Sequence, residues 1–274
     1  MITNLQKLHD NGTFAPVTLE KIGLNGKETK FNLVVVNDRH AIDTVTDQYD
    51  LITNEMLVDS ISRASEVVGL GNLEARGSFL NTNNGNSRMT FGIEGGGFQV
   101  PGDESDTITT LNISNNYAGR GRFGVEGGAE RIVCANGMKA FVATGHDSRM
   151  HVGVADLDAW ALDVIAEFAG KQSIVKMLAE VTANADWSPT RSGEALLKTA
   201  PKRYRERLAD AVKDNTRGIG FNAWAAIQAV TEVATHDMKD TVSARKWSDQ
   251  AIDTVLAQIN ADRDAIAALA GAAS

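Results

Sequence analysis

Cysteine is almost missing from this chain: Cys134 is the only one in 274 residues. That excludes an intrachain disulfide and a multi-cysteine zinc site. Long apolar runs are missing too. The chain's uninterrupted apolar runs, such as Leu33-Val34-Val35-Val36, are far too short to cross a bilayer. The N-terminus, Met1-Ile2-Thr3-Asn4-Leu5-Gln6-Lys7, lacks the charged start and apolar core of a signal peptide. Together these absences predict a cytoplasmic protein with no membrane association. A positive charge balance is also lacking. Lys and Arg number 27 against 35 Asp and Glu, a net charge of −8, which weakens a nucleic-acid reading of the chain as a whole. Catalytic signatures are absent as well. There is no Gly-x-Ser-x-Gly elbow, no His-Glu-x-x-His, no P-loop and no dinucleotide fingerprint. No internal repeat is evident.

What is present is ordinary globular composition, 43% hydrophobic and 23% charged, enough for a sizeable core. The charges are segregated. From Lys198 to Arg217 the bases Lys198, Lys202, Arg203, Arg205, Arg207, Lys213 and Arg217 face only Glu206, Asp210 and Asp214. A second basic group is Arg120, Arg122, Arg131, Lys139 and Arg149. Acids gather in Asp103-Glu104-Ser105-Asp106 and between Asp38 and Asp59. An acidic total therefore contains local basic ground, and distribution decides binding more than the sum does.

Periodicity divides the chain. Residues 1–30 are polar and punctuated by Gly and Asn, with a short strand at Phe14–Val17. Phe31–Asn37 reads as a buried strand, and Ile42–Thr46 as a returning one. Thr53 or Asn54 caps a helix carrying Met56, Leu57, Ser60, Ile61, Ala64, Val67 and Val68 at helical spacing, and Gly69 ends it. From Leu73 to Phe141, short runs of β character alternate with Gly, Asn and Pro turns, the pattern of an antiparallel meander. After His151 the texture is helical: Leu157–Phe168 up to Gly170, a continuation through Val181, Tyr204–Val212, Phe221–His236 and the Ala-rich Ala244–Ala270. The fold class is α+β, an antiparallel β-meander with a packed helix in the N-terminal half and a helical C-terminal half. The expected domains are 1–153, the meander domain, and 154–274, the helical region.

Each chemical motif has a plain structural reading. Gly95-Gly96-Gly97 and Gly119-Arg120-Gly121-Arg122 are β-turn material. If the second stretch is extended, Arg120 and Arg122 face one side and grip one backbone. His146 and His151 lie near Cys134 and Asp147 in sequence, but the spacing matches no standard zinc motif, so no metal and no cofactor is expected. Cys134 is a strand-end thiol beside the Asn136-Gly137 turn, and a small buried thiol is the default there. Pro201-Lys202-Arg203-Tyr204-Arg205-Glu206-Arg207 starts a helix with Pro in the first turn. It is either a solvated face or a phosphate-binding face on which Tyr204 stacks a base.

Three stretches resemble a family widespread in phages and plasmids, the phage/plasmid-like proteins, or domain of unknown function number 932. They are Arg131-Ile132-Val133-Cys134-Ala135-Asn136-Gly137-Met138, His151-Val152-Gly153, and Asn222-Ala223-Trp224 through Ala229-Val230-Thr231-Glu232-Val233-Ala234-Thr235-His236. In the last, Gln228 precedes Ala229-Val230-Thr231-Glu232 and Val233 replaces an aromatic residue. The resemblance spans Phe31 to His236. It implies a phage or mobile-element setting, and it implies no reaction. The element order is similar to the core of Rad52-type single-strand annealing proteins, an analogy of fold.

The leading expectation is therefore a phage protein that binds and anneals single-stranded DNA in recombination or replication, without bond chemistry. Arg120, Arg122, Lys139, Arg149, Lys202, Arg203, Tyr204 and Arg205, with the helix running on to Arg207, would line a backbone groove, and a homo-oligomeric ring or filament would extend it. A second reading is a phage interaction protein that binds a host protein such as a defence factor. A third is an enzyme using Cys134 with His146 or His151.

Overall fold

A computed structural model describes residues 2–131, 141–238 and 241–272. The chain divides into two compact units. The first comprises Met1–Gly97, Ile108–Gly128 and Ala143–Gln172, and the second Phe98–Thr107, Ala129–Val142 and Ser173–Ser274. The fold is α+β, sheet-rich in its N-terminal half and mostly helical in its C-terminal half.

The elements that lie wholly or partly in the first unit are β1 (Ile2–Thr3), α1 (Gln6–Asp10), β2 (Val17–Leu24), β3 (Lys27–Val36), β4 (His40–Thr46), α2 (Asn54–Val68), β5 (Leu73–Leu80), β6 (Asn86–Gln99), β7 (Asp106–Asn116), β8 (Arg122–Arg131), β9 (Phe141–Met150) and α3 (Leu157–Ala183). β2, β3 and β4 form an antiparallel three-stranded sheet. Asn25 and Gly26, both at positive φ (52° and 74°), make the two-residue turn between β2 and β3. Two consecutive left-handed residues match the right-handed twist of the flanking strands and so fix the register. Sequence reading placed only a short strand in residues 1–30. β2 is hard to see because its apolar alternation, Val17 and Leu19 against Thr18 and Glu20, lasts only four residues before the exposed Lys21 breaks it.

The larger sheet runs β1-β5-β6-β7-β8-β9. Its last five strands neighbour one another in chain order, as a meander requires. The sheet is nevertheless mixed, which corrects the expected all-antiparallel pattern: β1 pairs parallel to β5 through Ile2↔Leu73 and Thr3↔Glu74. α1 then shields β5, with Asn11 Nδ2 and Thr13 Oγ1 bonded to Ser78 Oγ at 3.3 and 2.7 Å. Covering a strand edge removes a template for unwanted pairing.

α2 has the ends the sequence announces. Thr53 Oγ1 accepts from Met56 N at 3.2 Å, and Gly69 closes the helix at φ 72°. Leu57, Val58, Ile61 and Ala64 of α2 and Trp160, Ala161, Ile165 and Phe168 of α3 bury one sheet face, meeting Met89, Phe91, Leu111, Ile113, Phe123 and Val125. Burying a side chain of this size contributes roughly 1.5–3 kcal/mol. Gly127 belongs to this packing, because a Cβ there would overlap the Phe168 ring. α3 does not stop at Gly170 but continues as one helix to Ala183. A mid-helix glycine costs only about 1 kcal/mol relative to alanine, less than the burial on the Trp160–Phe168 face returns.

The second unit contains α4 (Pro189–Thr199), a 3₁₀ turn at Lys202–Tyr204, α5 (Arg205–Ile219), α6 (Ala223–His236) and α7 (Thr241–Ala272). α6 is apolar nearly all round and lies at the centre of this core. Asn222 caps it by accepting from Ala225 N at 2.9 Å. The indole N–H groups of this unit all find acceptors: Trp187 on Gln258, Trp224 on Asp103 and Trp247 on Thr199. Among the described residues, no helix is long and apolar enough to cross a membrane.

Candidate nucleic-acid interface

The basic segment of the second unit is sorted by the fold into spent and free charges. Pro201, extended at ψ 141°, precedes the 3₁₀ turn Lys202–Tyr204, and α5 begins at Arg205. Lys202, Arg203 and Arg205 are exposed, and Tyr204 is half-buried with its ring against the helical core. The Arg203 guanidinium lies 4.6 Å from the Tyr204 ring centroid, a cation–π arrangement that orients it. Arg205 Nε donates to Ala200 O at 3.1 Å, which leaves its remaining guanidinium N–H groups toward solvent.

The neighbouring bases are occupied. Arg207 bonds Glu232 and reaches Asp237 at 3.1 Å, and Glu232 also accepts from Asn215 Nδ2 at 3.0 Å. The Glu232 carboxylate raises the Arg207 pKa further above its ordinary value. Arg207 therefore ties α5 to α6 and does not line a groove, which corrects the expectation that the cationic face extends to it. Lys198, Lys213 and Arg217 pair with Glu194, Asp210 and Asp214 one helical turn away. Such exposed pairs contribute little stability, but they locally cancel charge. The uncompensated cations of the segment are thus Lys202, Arg203 and Arg205, none of which forms an ion pair among the described residues.

The second basic group lies in the first unit. Arg120 sits in a turn closed by Gly121 N to Ala118 O at 2.6 Å. The stretch is not extended, so strand alternation does not place Arg120 beside Arg122. Arg122 opens β8 and grips the adjacent strand, with Nε to Ser148 Oγ at 3.0 Å and Nη2 to Ser148 O at 2.6 Å. Arg149 is exposed. It has the strand parity of Asp147, which Trp160 Nε1 holds on the helix-covered face at 2.6 Å. Ser148 and Arg122 therefore occupy one face of β9 and Arg149 the other. Lys139 and Cys134 lie outside the described residues, as does the strand-and-turn motif from Ile132 to Met138.

His146 is exposed on β9, whereas His151 is buried in a polar network that sequence reading missed. Its Nε2 meets Asn115 Oδ1 at 2.9 Å and its Nδ1 meets Asp50 O at 3.1 Å. Tyr49 stacks on the ring at 5.0 Å, and Phe123 meets it edge-on at 5.3 Å. Asn115 Nδ2 donates to Ile52 O and Asn54 Oδ1, so its amide orientation is fixed. Asn54 donates to Thr13 O, accepts from Ser87 Oγ, and gives its backbone N–H to the Tyr117 hydroxyl. The scattered Asn, Ser and Tyr residues that build this network carry no spacing signal, which is why the sequence hides it. Both ring nitrogens face oxygens, the neutral imidazole donates from one of them, and the ring is buried, so His151 is a structural clamp. Among the described residues, no group of three or more His, Cys, Asp and Glu could hold a metal ion.

Burial pushes the His151 pKa below its ordinary 6.5. The unfolded chain then takes up a proton more readily than the folded one. Stability is full above about pH 6.5 and is lost as the pH falls below it. Urea denaturation across pH 7.5 to 5 is expected to show this decline. His151→Phe, which keeps the stack on Tyr49, should flatten it.

No family model, no curated protein and no solved structure matches this chain.

Proposed function

We propose that the protein binds single-stranded DNA by backbone contact, as an annealing-type accessory of phage recombination or replication, with no bond chemistry of its own. The observation that carries this reading is the turn Lys202-Arg203-Tyr204-Arg205. Three exposed cations and one aromatic ring stand together there, while the bases around them are paired with carboxylates. A protein of net charge −8 that keeps a compact cationic point has the local field needed for phosphate contact. The element order supports the Rad52-type analogy: a three-stranded sheet, the helix α2, five consecutive strands and then α3. A homo-oligomer in a ring or filament would repeat the cationic point along one strand.

The test is titration of a labelled oligo-dT with the full chain between about 50 and 200 mM salt. Binding at low salt is expected, with log K falling as log salt rises by about 0.7 per phosphate neutralised. Absence of binding at low salt, or binding indifferent to salt, sinks the proposal. Mass measurement with and without the oligonucleotide reports the assembly in the same samples.

A further inference from the structure

The larger sheet has a second face, opposite α2 and α3. Alternation along the strands assigns its residues. Met89, Phe91 and Phe123 point into the core, so Arg88, Thr90, Gly92 and Arg122 point the other way. Phe79 is opposite Arg88 in the β5–β6 register and shares that face. Its ring is 52% exposed. The Arg88 side chain is 46% exposed, and Glu126 holds it only loosely, at 4.0 Å. Ser114 is exposed, whereas Thr90 and Asn112, bonded Oγ1 to Oδ1 at 2.8 Å, are buried. Gly77 leaves the surface low beside Phe79, whereas the Arg76 side chain lies over Gly92. Phe79, Arg88 and Arg122 gather at one end of the sheet. Ser87 Oγ reaches Asn115 O at 3.3 Å, and a Cβ at Gly121, just before β8, would collide with Asn116 O.

Phe79 is half-exposed and stands opposite Arg88, so a ring face and a guanidinium share one cross-strand pair. A protein partner would need a continuous apolar patch, and the exposed residues that share this end of the face with Phe79 are Arg88, Ser114 and Arg122 instead. The chemistry fits an unpaired base better. One flat ring offers a stacking face, guanidinium groups one and three strands away offer phosphate contacts, and the exposed Ser114 adds a hydroxyl on the strand between Arg88 and Arg122. Adjacent strands lie about 4.8 Å apart, so a strand of DNA crossing the sheet meets the ring first and then the arginines in succession.

We infer that this outer face is a base-stacking platform for single-stranded DNA, with Phe79 carrying a base and Arg88 and Arg122 carrying its phosphates. The inference rests on the single-strand-binding reading above and adds a site to it. Stacking uses the face of a base and leaves its pairing edge free, as annealing requires.

The experiment compares oligo-dT with an abasic oligonucleotide of equal length, using the full chain. The wild-type protein is expected to prefer the bases by about tenfold. Phe79→Ala should abolish that preference and leave abasic binding unchanged. Phe79→Leu, which keeps an apolar side chain but has no ring face, should do the same, and so separates stacking from any loss of fold. Arg88→Gln should weaken both oligonucleotides and reduce the salt slope by about 0.7. If the wild-type protein binds both equally, or Phe79→Leu keeps the preference, the platform is wrong while the proposed function stands. If the wild-type protein binds neither, both are wrong.

Discussion

Asn115→Leu is expected to lower the melting temperature of the protein by about 10 °C, read by circular dichroism. Leucine keeps the branched shape of asparagine and is bulkier, so the cost is not a cavity. It is the set of groups left without partners. Ile52 O and Asn54 Oδ1 lose the N–H groups they accept at 2.9 and 3.1 Å, and His151 Nε2 loses the oxygen at 2.9 Å. A buried polar group stripped of its partner costs about 1–3 kcal/mol. Ser87 still satisfies Asn54 in part, so a total of about 3–4 kcal/mol is reasonable. At roughly 2–4 °C per kcal/mol for a chain of this size, that gives the stated shift. The loss would fall on the first unit, because the network joins the segment before α2, the end of β7 and the residues after β9. Asp50 N donates to His151 O at 2.7 Å, and Val154 N donates to Asp50 Oδ2 at 2.8 Å, so the same clamp also holds the chain's exit from the sheet. A shift below about 2 °C would mean that water or backbone movement replaces these bonds.

What could be read from the sequence follows from which signals are local. α2 was fully legible, because its cap Thr53, its apolar stripe and its terminator Gly69 all act within a few residues. The helical texture after His151 is legible for the same reason, and the period that continues past Gly170 through Val181 belongs to the single helix α3. β1 and β2 were not legible. Two residues pairing parallel to β5 leave no periodic trace, and β2 takes its identity from β3 beside it. The candidate site divides in the same way. The exposed turn Lys202–Arg205 could be marked from composition alone. That Arg207 is spent on Glu232, or that Arg122 and Arg149 fall on opposite faces of β9, depends on contacts between residues far apart in the chain. The pairing of Phe79 with Arg88 depends on register, and a one-residue slip would have placed the ring in the core.

Replacing Lys202, Arg203 and Arg205 together by alanine should weaken single-stranded DNA binding by about a hundredfold at low salt and reduce the salt slope by about 2. The slope change follows from three phosphate contacts at about 0.7 each. The fold should survive. These side chains are exposed, and among them only Arg205 hydrogen-bonds the rest of the fold, through Ala200 O. Arg203 contributes twice, since without its guanidinium the face of Tyr204 loses the cation that lies over it. The matched control is Lys198, Lys213 and Arg217 replaced by alanine. That variant removes the same formal charge from the same segment, but from residues already paired with Glu194, Asp210 and Asp214. If binding responded only to net charge, the two variants would lose affinity equally. If the cationic turn is the contact, the first loses far more than the second, and only the first changes the slope. Equal losses would move the binding surface away from Lys202–Arg205 and leave the carboxylate-paired helix face as no more than solvated surface.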